Sequence, residues 1–292
     1  MKKKQIFRGV ATALATPFSD GKIDYSALKR MIDFQIDGGV DAILICGTTG
    51  ESPSLTDGET HELIDRSAEM IDGRVKMIVG SGSLVMSRAL EQSRFASEHG
   101  ADALLVITPF YNKGTKTGIA EYFRRIANHT DKPIIIYNVP SRTGVDISLD
   151  TIADIYDEEN IVAVKEASGS IDKTLDITTF FPELCVYSGN DTMTLPVLSL
   201  GGGGVISVIS NILPGECSEM CRKYFSGKTK EALDIQRRLT PLMHMMFSDV
   251  NPSPVKAALS IIGMCENELR LPLTKISTEL YVKIQRALAE FS

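Results

Sequence analysis

Eight short apolar segments, rich in β-branched residues, recur along the first two thirds of the chain with starts about 20–34 residues apart. Their apolar residues are continuous rather than alternating, which is typical of strands buried on both faces. The spacing leaves room for one helix in each right-handed crossover. The segments are Val10–Leu14, Ala42–Cys46, Lys76–Gly80, Ala103–Ile107, Pro133–Tyr137, Ile161–Lys165, Leu184–Ser188 and Gly204–Val208.

Helical patterns fill many of the gaps between these segments. One begins with Thr56-Asp-Gly-Glu59, a capping-box sequence. Eight strands alternating with helices predict an α/β fold, a (β/α)8 TIM barrel. The alternative is a doubly wound open sheet, but no G-x-G-x-x-G motif follows the first strand. The helical segments are Tyr25–Gly38, Thr56–Met70, Ser87–His99 and Gly118–Asn128.

Beyond Val208 the pattern is helical only. We therefore expect residues 1–225 to form a catalytic barrel and residues 226–292 to form a C-terminal helical extension that packs on it. The helices expected here are Pro214–Ser226, Thr229–Phe247, Pro254–Met264 and Thr274–Phe291.

Charge and hydropathy exclude several classes of partner. The chain has 31 Lys+Arg against 37 Asp+Glu, a net charge of −6, which disfavours nucleic-acid binding. The longest uncharged stretch, Thr192–Gly215, contains two prolines and four consecutive glycines, so we expect no membrane span. No apolar segment follows the N-terminal lysines, which predicts a cytoplasmic protein without a secretory signal. These lysines, Lys2 to Lys4, are expected to form a solvated tail.

The cysteines and histidines do not form a metal-binding pattern. Cys217 and Cys221 share a helix face, but none of the four histidines lies near them in sequence. The five cysteines are interpreted as reduced, mostly buried thiols. Gly201–Gly204 precedes the last strand and so lies at the wrong end of a barrel for a phosphate site. No metal or cofactor is predicted.

In a (β/α)8 barrel the active site lies where the strands end. Lys165 ends the sixth apolar segment, so its ammonium group is expected to point into the barrel mouth. Burial disfavours the charged form of a lysine, and a neutral amine can attack a ketone to form a Schiff base. The alternative is a lysine paired with Glu166 or another carboxylate.

Other polar residues follow neighbouring strands. Tyr137 is a candidate proton shuttle, or alternatively a core tyrosine. Thr48 and Thr49, in a glycine-flanked turn, offer hydroxyl and N–H groups to a carboxylate, although ordinary turn chemistry explains them equally well. Arg142 suits bidentate binding of a carboxylate, or alternatively a surface ion pair.

Together these segments resemble the class I aldolase family of dihydrodipicolinate synthase and N-acetylneuraminate lyase. The resemblance covers essentially the whole chain, in order, including the C-terminal helices. It rests on the motifs Gly47-Thr-Thr-Gly-Glu51, Tyr137-Asn-Val-Pro-Ser-Arg-Thr-Gly144, Val164-Lys-Glu-Ala167, Gly189-Asn-Asp191 and Asn251-Pro-Ser-Pro-Val-Lys256.

The resemblance implies specific catalytic roles. Lys165 would form the Schiff base with pyruvate. Tyr137 would relay protons in a triad with Thr48 and with Tyr111, the last contributed across a subunit interface. The imine serves as the electron sink, so no cofactor is implied. A homotetramer built from two tight dimers is also implied.

The resemblance also implies how substrates are bound. Thr49 would hold the pyruvate carboxylate, and the backbone at Gly189 and Ile206 would line the pyruvate pocket. Arg142 would bind L-aspartate 4-semialdehyde, which favours a condensation reaction of lysine and diaminopimelate biosynthesis. The alternatives are another pyruvate-dependent aldolase, such as N-acetylneuraminate or 2-keto-3-deoxy-sugar-acid lyase, and a non-catalytic barrel.

One set of positions departs from the family pattern. Lysine-inhibited members use an Asn, a Glu, a His and a Tyr in a pocket at the tight interface. The matching residues here are Leu84, Arg88, Asp57 and Phe110. Because Arg88 would repel the inhibitor's ammonium group, we predict that L-lysine does not inhibit this protein.

Overall fold

A computed structural model describes residues 3–291 and contains a closed barrel of eight parallel strands. The barrel closes where the first strand pairs with the last, so the barrel prediction is confirmed over the open sheet. A two-stranded hairpin, β2 (Phe18–Ser19) and β3 (Lys22–Ile23), was not predicted. The barrel strands are β1 (Gly9–Ala13), β4 (Ala42–Ile45), β5 (Lys76–Gly80), β6 (Ala103–Ile107), β7 (Ile134–Asn138), β8 (Ile161–Glu166), β9 (Cys185–Ser188) and β10 (Gly204–Ser207).

The helices surround the barrel and extend past its last strand. The capping box at Thr56 is confirmed, because its hydroxyl accepts from the Glu59 N–H while the Glu59 carboxylate accepts from the Thr56 N–H. Helices α5 to α8 were not assigned from the sequence, and α5, α6 and α8 have only 4, 7 and 6 residues, too few to show a clear helical period. The helices are α1 (Tyr25–Asp37), α2 (Asp57–Ile71), α3 (Met86–Glu98), α4 (Lys116–Ala127), α5 (Pro140–Thr143), α6 (Leu149–Ile155), α7 (Ile171–Phe180), α8 (Thr194–Ser199), α9 (Pro214–Phe225), α10 (Thr229–Met245), α11 (Ser253–Ile261) and α12 (Thr278–Leu288).

Two apolar clusters form the core. One fills the barrel interior and includes Leu44, Ile135 and Ile206. The other lies between the strands and the helices and includes Ile43, Ile134 and Val205. Neighbouring residues on one strand therefore belong to different clusters, as the alternation of side chains along a strand requires. Strands buried in this way on both faces explain the continuous apolar segments in the sequence.

The prediction of a solvated N-terminal tail is wrong for Lys3. Its Nζ donates hydrogen bonds to the carbonyl oxygens of Tyr156, Glu158 and Ile161, at 2.5, 2.8 and 2.7 Å. Partial burial lowers the pKa of Lys3. Lys4 is exposed, as expected, and Lys2 lies outside the described residues. Lys3 thus fastens the start of the chain to the segment that enters β8.

Candidate active site

Lys165 and Tyr137 lie side by side on neighbouring strands at the carboxyl end of the barrel. They are register partners of β8 and β7, and Lys165 Nζ is 4.2 Å from the centre of the Tyr137 ring. Lys165 is 5% exposed and Tyr137 is 7% exposed. The amine of Lys165 therefore lies over the face of the Tyr137 ring.

A bulge in β8 turns Lys165 toward the barrel interior. Ile134 of β7 pairs with Ile161, and Ile135 pairs with Ala163, so Val162 is an extra residue. Both Val162 and Ala163 belong to the inner cluster, whereas Ile161 and Val164 belong to the outer one. A bulge shifts the alternation of side chains by one residue. Without it, Lys165 would face the same side as Ile161, toward the surrounding helices.

Lys165 has no carboxylate partner. Among the described residues, no Asp or Glu forms an ion pair with its Nζ, although its charge opposes the rise in the pKa of the buried Asp191. The carboxylate of Glu166 is engaged elsewhere, because it accepts from Asn138 Nδ2 at 2.9 Å and from the Ser168 N–H at 2.6 Å. The predicted alternative, a pair between Lys165 and Glu166, is therefore wrong. A buried lysine without a partner is a candidate nucleophile.

A cavity of about 340 Å³ opens above Lys165. Six of the eight residues predicted for the site line it: Lys165, Tyr137, Thr48, Thr49, Arg142 and Gly189. Thr48, Tyr137 and Arg142 also line a neighbouring cavity of about 530 Å³, whose wall includes Arg88 and Phe110. The two cavities therefore share three of the residues predicted for catalysis or substrate binding.

Two of the predicted site residues do not line this cavity. Ile206 is fully buried in the inner cluster. Tyr111 is 88% exposed, in the loop after β6, with a backbone φ of 64°. Such a positive φ is uncommon for a residue with a large side chain. The ring projects into solvent, which leaves its role across an interface a prediction.

The Thr48-Thr49 turn is compact and mostly buried. Thr49 is 2% exposed, and the N–H of Glu51 donates to the Thr48 carbonyl at 3.1 Å. A Cβ at Gly50 would lie 3.2 Å from both the Leu14 carbonyl oxygen and the Thr16 hydroxyl, so glycine suits this position. Within residues 3–291 the N–H groups of Thr48 and Thr49 donate to no carbonyl oxygen. They are available to an anionic ligand.

The segment from Asn251 to Lys256 contacts this turn from the C-terminal part of the chain. Asn251 Nδ2 donates to Thr49 Oγ1 at 3.0 Å, and Lys256 Nζ donates to Glu51 Oε1 at 2.7 Å. Arg142 Nη2 donates to the Asn251 carbonyl at 3.1 Å. Sequence reasoning used this segment as a motif but assigned it no role, because about 200 residues separate it from the turn.

Asp191 is a second residue whose place in the site the sequence did not reveal. It is buried, and its Oδ2 accepts hydrogen bonds from the N–H groups of Val208 and Ile209, at 3.0 Å each. Burial raises the pKa of Asp191, while hydrogen bonds from Ser207 and these N–H groups oppose the rise. The carboxyl group therefore holds the chain where it leaves β10.

Residues 3–291 give little support for metal binding, membrane insertion or catalysis by a thiol. No three His, Cys, Asp or Glu side chains are close enough to hold a metal ion. No helix there is both long and apolar enough to span a membrane. Cys46 and Cys221 are buried, which raises the pKa of each thiol to about 12. These thiols stay protonated at neutral pH and are poor nucleophiles.

A parallel barrel that holds a buried, unpaired lysine at its carboxyl end defines a class of enzyme, the class I aldolase-type lyases. The chain belongs to the dihydrodipicolinate synthetase family, whose sequence model matches residues 6–291. The family resemblance seen in the motifs is thereby confirmed.

Relatives match over nearly the whole chain. The 4-hydroxy-tetrahydrodipicolinate synthase of Thermotoga neapolitana is 43% identical over 290 residues, which cover 98% of this chain and 99% of the relative. That of Alkaliphilus oremlandii is 45% identical, with 92% and 93% covered. The crystal structure of dihydrodipicolinate synthase from Aquifex aeolicus superposes with a TM-score of 0.96 at 44% identity and covers 98% of each chain.

Proposed function

We propose that this chain condenses pyruvate with L-aspartate 4-semialdehyde, the reaction of a 4-hydroxy-tetrahydrodipicolinate synthase in lysine and diaminopimelate biosynthesis. The observation that carries the proposal is the buried, unpaired Lys165 beside Tyr137, in a cavity that Arg142 also lines. The names of the full-length relatives support the same reaction.

The first half-reaction activates pyruvate on Lys165. The neutral amine attacks the ketone carbon, a C–N bond forms, and the ketone oxygen leaves as water. The resulting imine withdraws electrons from the adjacent methyl group, which loses a proton and becomes an enamine. Tyr137, with Thr48, carries the protons between these groups. No metal is required, because the imine itself accepts the electron pair.

The second half-reaction forms the carbon–carbon bond. The enamine carbon attacks the aldehyde carbon of the semialdehyde and regenerates the imine. The amino group of the second substrate then attacks the imine carbon, a ring forms, and Lys165 leaves as an amine. Only proton transfers and water accompany these steps, so the atoms and electrons balance without an oxidant.

The polar groups of the mouth fit two carboxylates. The Thr49 hydroxyl and the free N–H groups of the turn bind that of pyruvate, near Gly189. Arg142 lies at the rim and binds the carboxylate of the semialdehyde, since a guanidinium group matches a carboxylate with two hydrogen bonds. A sugar substrate would instead need hydroxyl partners at this position.

The exposed apolar side chains support a homotetramer built as a dimer of dimers. Leu84 and Val85 are exposed beside the larger cavity, on the side of the barrel that also carries Tyr111. Ile171 and Leu175 form a separate exposed apolar stripe on α7. Two distinct apolar surfaces allow two kinds of contact, and one of them would bring Tyr111 to a partner's cavity.

The cysteines support a cytoplasmic location. All five are free in the structure. Reduced cysteines are typical of proteins in a reducing compartment, whereas exported proteins often contain disulfides.

A trapping experiment tests the proposal. The protein is incubated with pyruvate, reduced with borohydride, and analysed by peptide mass spectrometry. We expect an adduct on Lys165 and none on Lys256, which is also buried but is paired with Glu51. Absence of a Lys165 adduct would overturn the proposal.

Turnover identifies the second substrate. We expect product from L-aspartate 4-semialdehyde in an assay coupled to a reductase. Arg142→Ala should keep the trapping of pyruvate while turnover collapses. An adduct without semialdehyde turnover, but with cleavage of N-acetylneuraminate or a keto-deoxy sugar acid, would favour the alternative lyases instead. Equal loss of trapping and turnover in Arg142→Ala would mean that Arg142 supports the structure.

A further inference from the structure

Asn251 joins the two groups that are proposed to bind carboxylates. Its side chain donates to Thr49 Oγ1 at 3.0 Å, and its backbone carbonyl accepts from Arg142 Nη2 at 3.1 Å. Asn251 is 5% exposed and lines the cavity above Lys165. Asn251, a buried residue from the C-terminal part of the chain, therefore contacts both Thr49 and Arg142.

The hydrogen bond from Asn251 determines what the Thr49 hydroxyl can do. A threonine hydroxyl has one proton to donate and two lone pairs that accept. Because the amide donates to Thr49 Oγ1, the hydroxyl proton points away from Asn251. Within residues 3–291 this proton has no acceptor. It is left for a ligand in the cavity.

We propose that Asn251 is a positioning residue that sets the direction of the Thr49 hydroxyl, so that its proton is donated to the carboxylate of bound pyruvate. The inference rests on the proposed function and adds a residue to it. Asn251 acts through Thr49 and does not itself touch the reacting atoms. Its contact with Arg142 uses the backbone, which side-chain substitutions leave in place.

A rotated Asn251 amide, with Oδ1 instead of Nδ2 facing Thr49, would prevent the Thr49 hydroxyl from donating to pyruvate. Asn251 Oδ1 is buried and accepts no hydrogen bond from the described residues. If Oδ1 faced Thr49, the hydroxyl would donate to it and its proton would no longer reach the substrate. Asn251→Asp imposes this state permanently, because a carboxylate only accepts, and it adds a charge that repels the pyruvate carboxylate. Asn251→Ala removes the hydrogen bond to Thr49 but introduces no acceptor for the Thr49 hydroxyl proton.

The test compares these two variants in steady-state kinetics. For Asn251→Ala we expect the KM for pyruvate to rise about 10-fold, with the KM for the semialdehyde changed less than about twofold. For Asn251→Asp, which has nearly the wild-type shape, we expect a rise of about 100-fold. Ser248→Ala is the matched control, since Ser248 lies three residues before Asn251, its hydroxyl donates to the Met245 carbonyl, and it does not line the cavity.

A double-variant cycle separates positioning from a structural role. Thr49→Val removes the hydroxyl, so adding Asn251→Ala to it should leave the KM for pyruvate within about twofold of that of Thr49→Val. This measurement remains possible even if the Asn251→Asp variant does not fold. Additive effects, or a KM for pyruvate that rises less in Asn251→Asp than in Asn251→Ala, would overturn the inference.

The trapping experiment distinguishes this failure from failure of the proposed function. If the wild-type protein forms no adduct on Lys165, the proposed function fails. If it forms the adduct and the variants behave additively, only the role of Asn251 is wrong.

Discussion

Lys256 Nζ lies 2.7 Å from Glu51 Oε1, and neither side chain is exposed to solvent. The same ammonium group donates to the Glu268 carbonyl at 2.6 Å and lies 4.0 Å from the centre of the Phe18 ring. The other carboxylate oxygen of Glu51 accepts from the Arg270 N–H at 3.0 Å. This pair joins α11 to the turn that follows β4 and carries Thr48 and Thr49.

The first prediction concerns the stability that depends on this pair. Burial lowers the pKa of Lys256, and Glu51 opposes that shift. Lys256→Met should lower the free energy of unfolding by about 3–5 kcal/mol, because the buried carboxylate of Glu51 is left without an opposite charge. Glu51→Gln combined with Lys256→Met should recover much of the loss. Denaturant unfolding measures both, and a loss below about 1 kcal/mol for Lys256→Met would contradict the expectation.

The second prediction concerns acid stability. Arg270 donates to both carboxylate oxygens of Glu59, at 2.5 and 2.8 Å, and lowers the pKa of Glu59 from 4.5 to about 2. Because the folded pKa is depressed, the stabilisation is complete above pH 4.5 and is lost as pH falls toward 2. Glu59→Gln should therefore cost about 1–2 kcal/mol at pH 7 and progressively less below pH 4.5.

The matched control is Glu279→Gln. Glu279 pairs with Lys283 at 2.7 Å on an exposed helix face, where solvent screens the interaction. We expect little change in its free energy of unfolding at any pH. A Glu59→Gln cost that is constant from pH 7 to pH 3 would argue against the pH dependence.

The third prediction concerns Tyr111, which is exposed and does not line the cavity of its own chain. If its phenol acts in a partner's site, Tyr111→Ala and Lys165→Ala should each be nearly inactive alone. Mixed oligomers of the two variants should regain activity, since some sites then contain both native residues. Subunit exchange followed by the coupled assay measures this, and the absence of any recovery would place Tyr111 outside the catalytic group.

The fourth prediction concerns inhibition. Arg88 and Asp57 form an ion pair at 2.7 Å beside the larger cavity, which Leu84 and Phe110 also line. Because Arg88 engages Asp57, this pair offers no free carboxylate to the ammonium group of a ligand, so L-lysine should not inhibit at submillimolar concentration. Arg88→Glu, which reverses the charge, is the informative comparison in the same steady-state assay. Half-inhibition of the wild-type protein by submillimolar lysine would sink the prediction.

The sequence alone was sufficient to predict the barrel architecture. The barrel strands match the eight apolar segments to within one residue at each end, because strands buried on both faces need continuous apolar side chains. Polar residues just after those strands were correctly expected at one end of the barrel, since all eight strands run parallel. The pattern of apolar residues and the direction of the chain can both be read from the sequence without a structure.

The sequence predicted that Lys165 points into the barrel mouth, but it did not reveal the bulge that turns this side chain inward. The bulge at Val162 sets the side on which Lys165 lies, yet Ile161 to Lys165 reads as an ordinary apolar segment. The absence of a pair with Glu166 follows from the same alternation.

The contacts of Asn251 and Lys256 with the Thr49 turn were also hidden, because they join parts of the chain about 200 residues apart. The sequence by itself thus determined the strands, their order and the end at which the chemistry lies. Only the tertiary structure decided which side chains meet there, because a one-residue bulge and long-range packing depend on the whole folded chain and not on any local pattern.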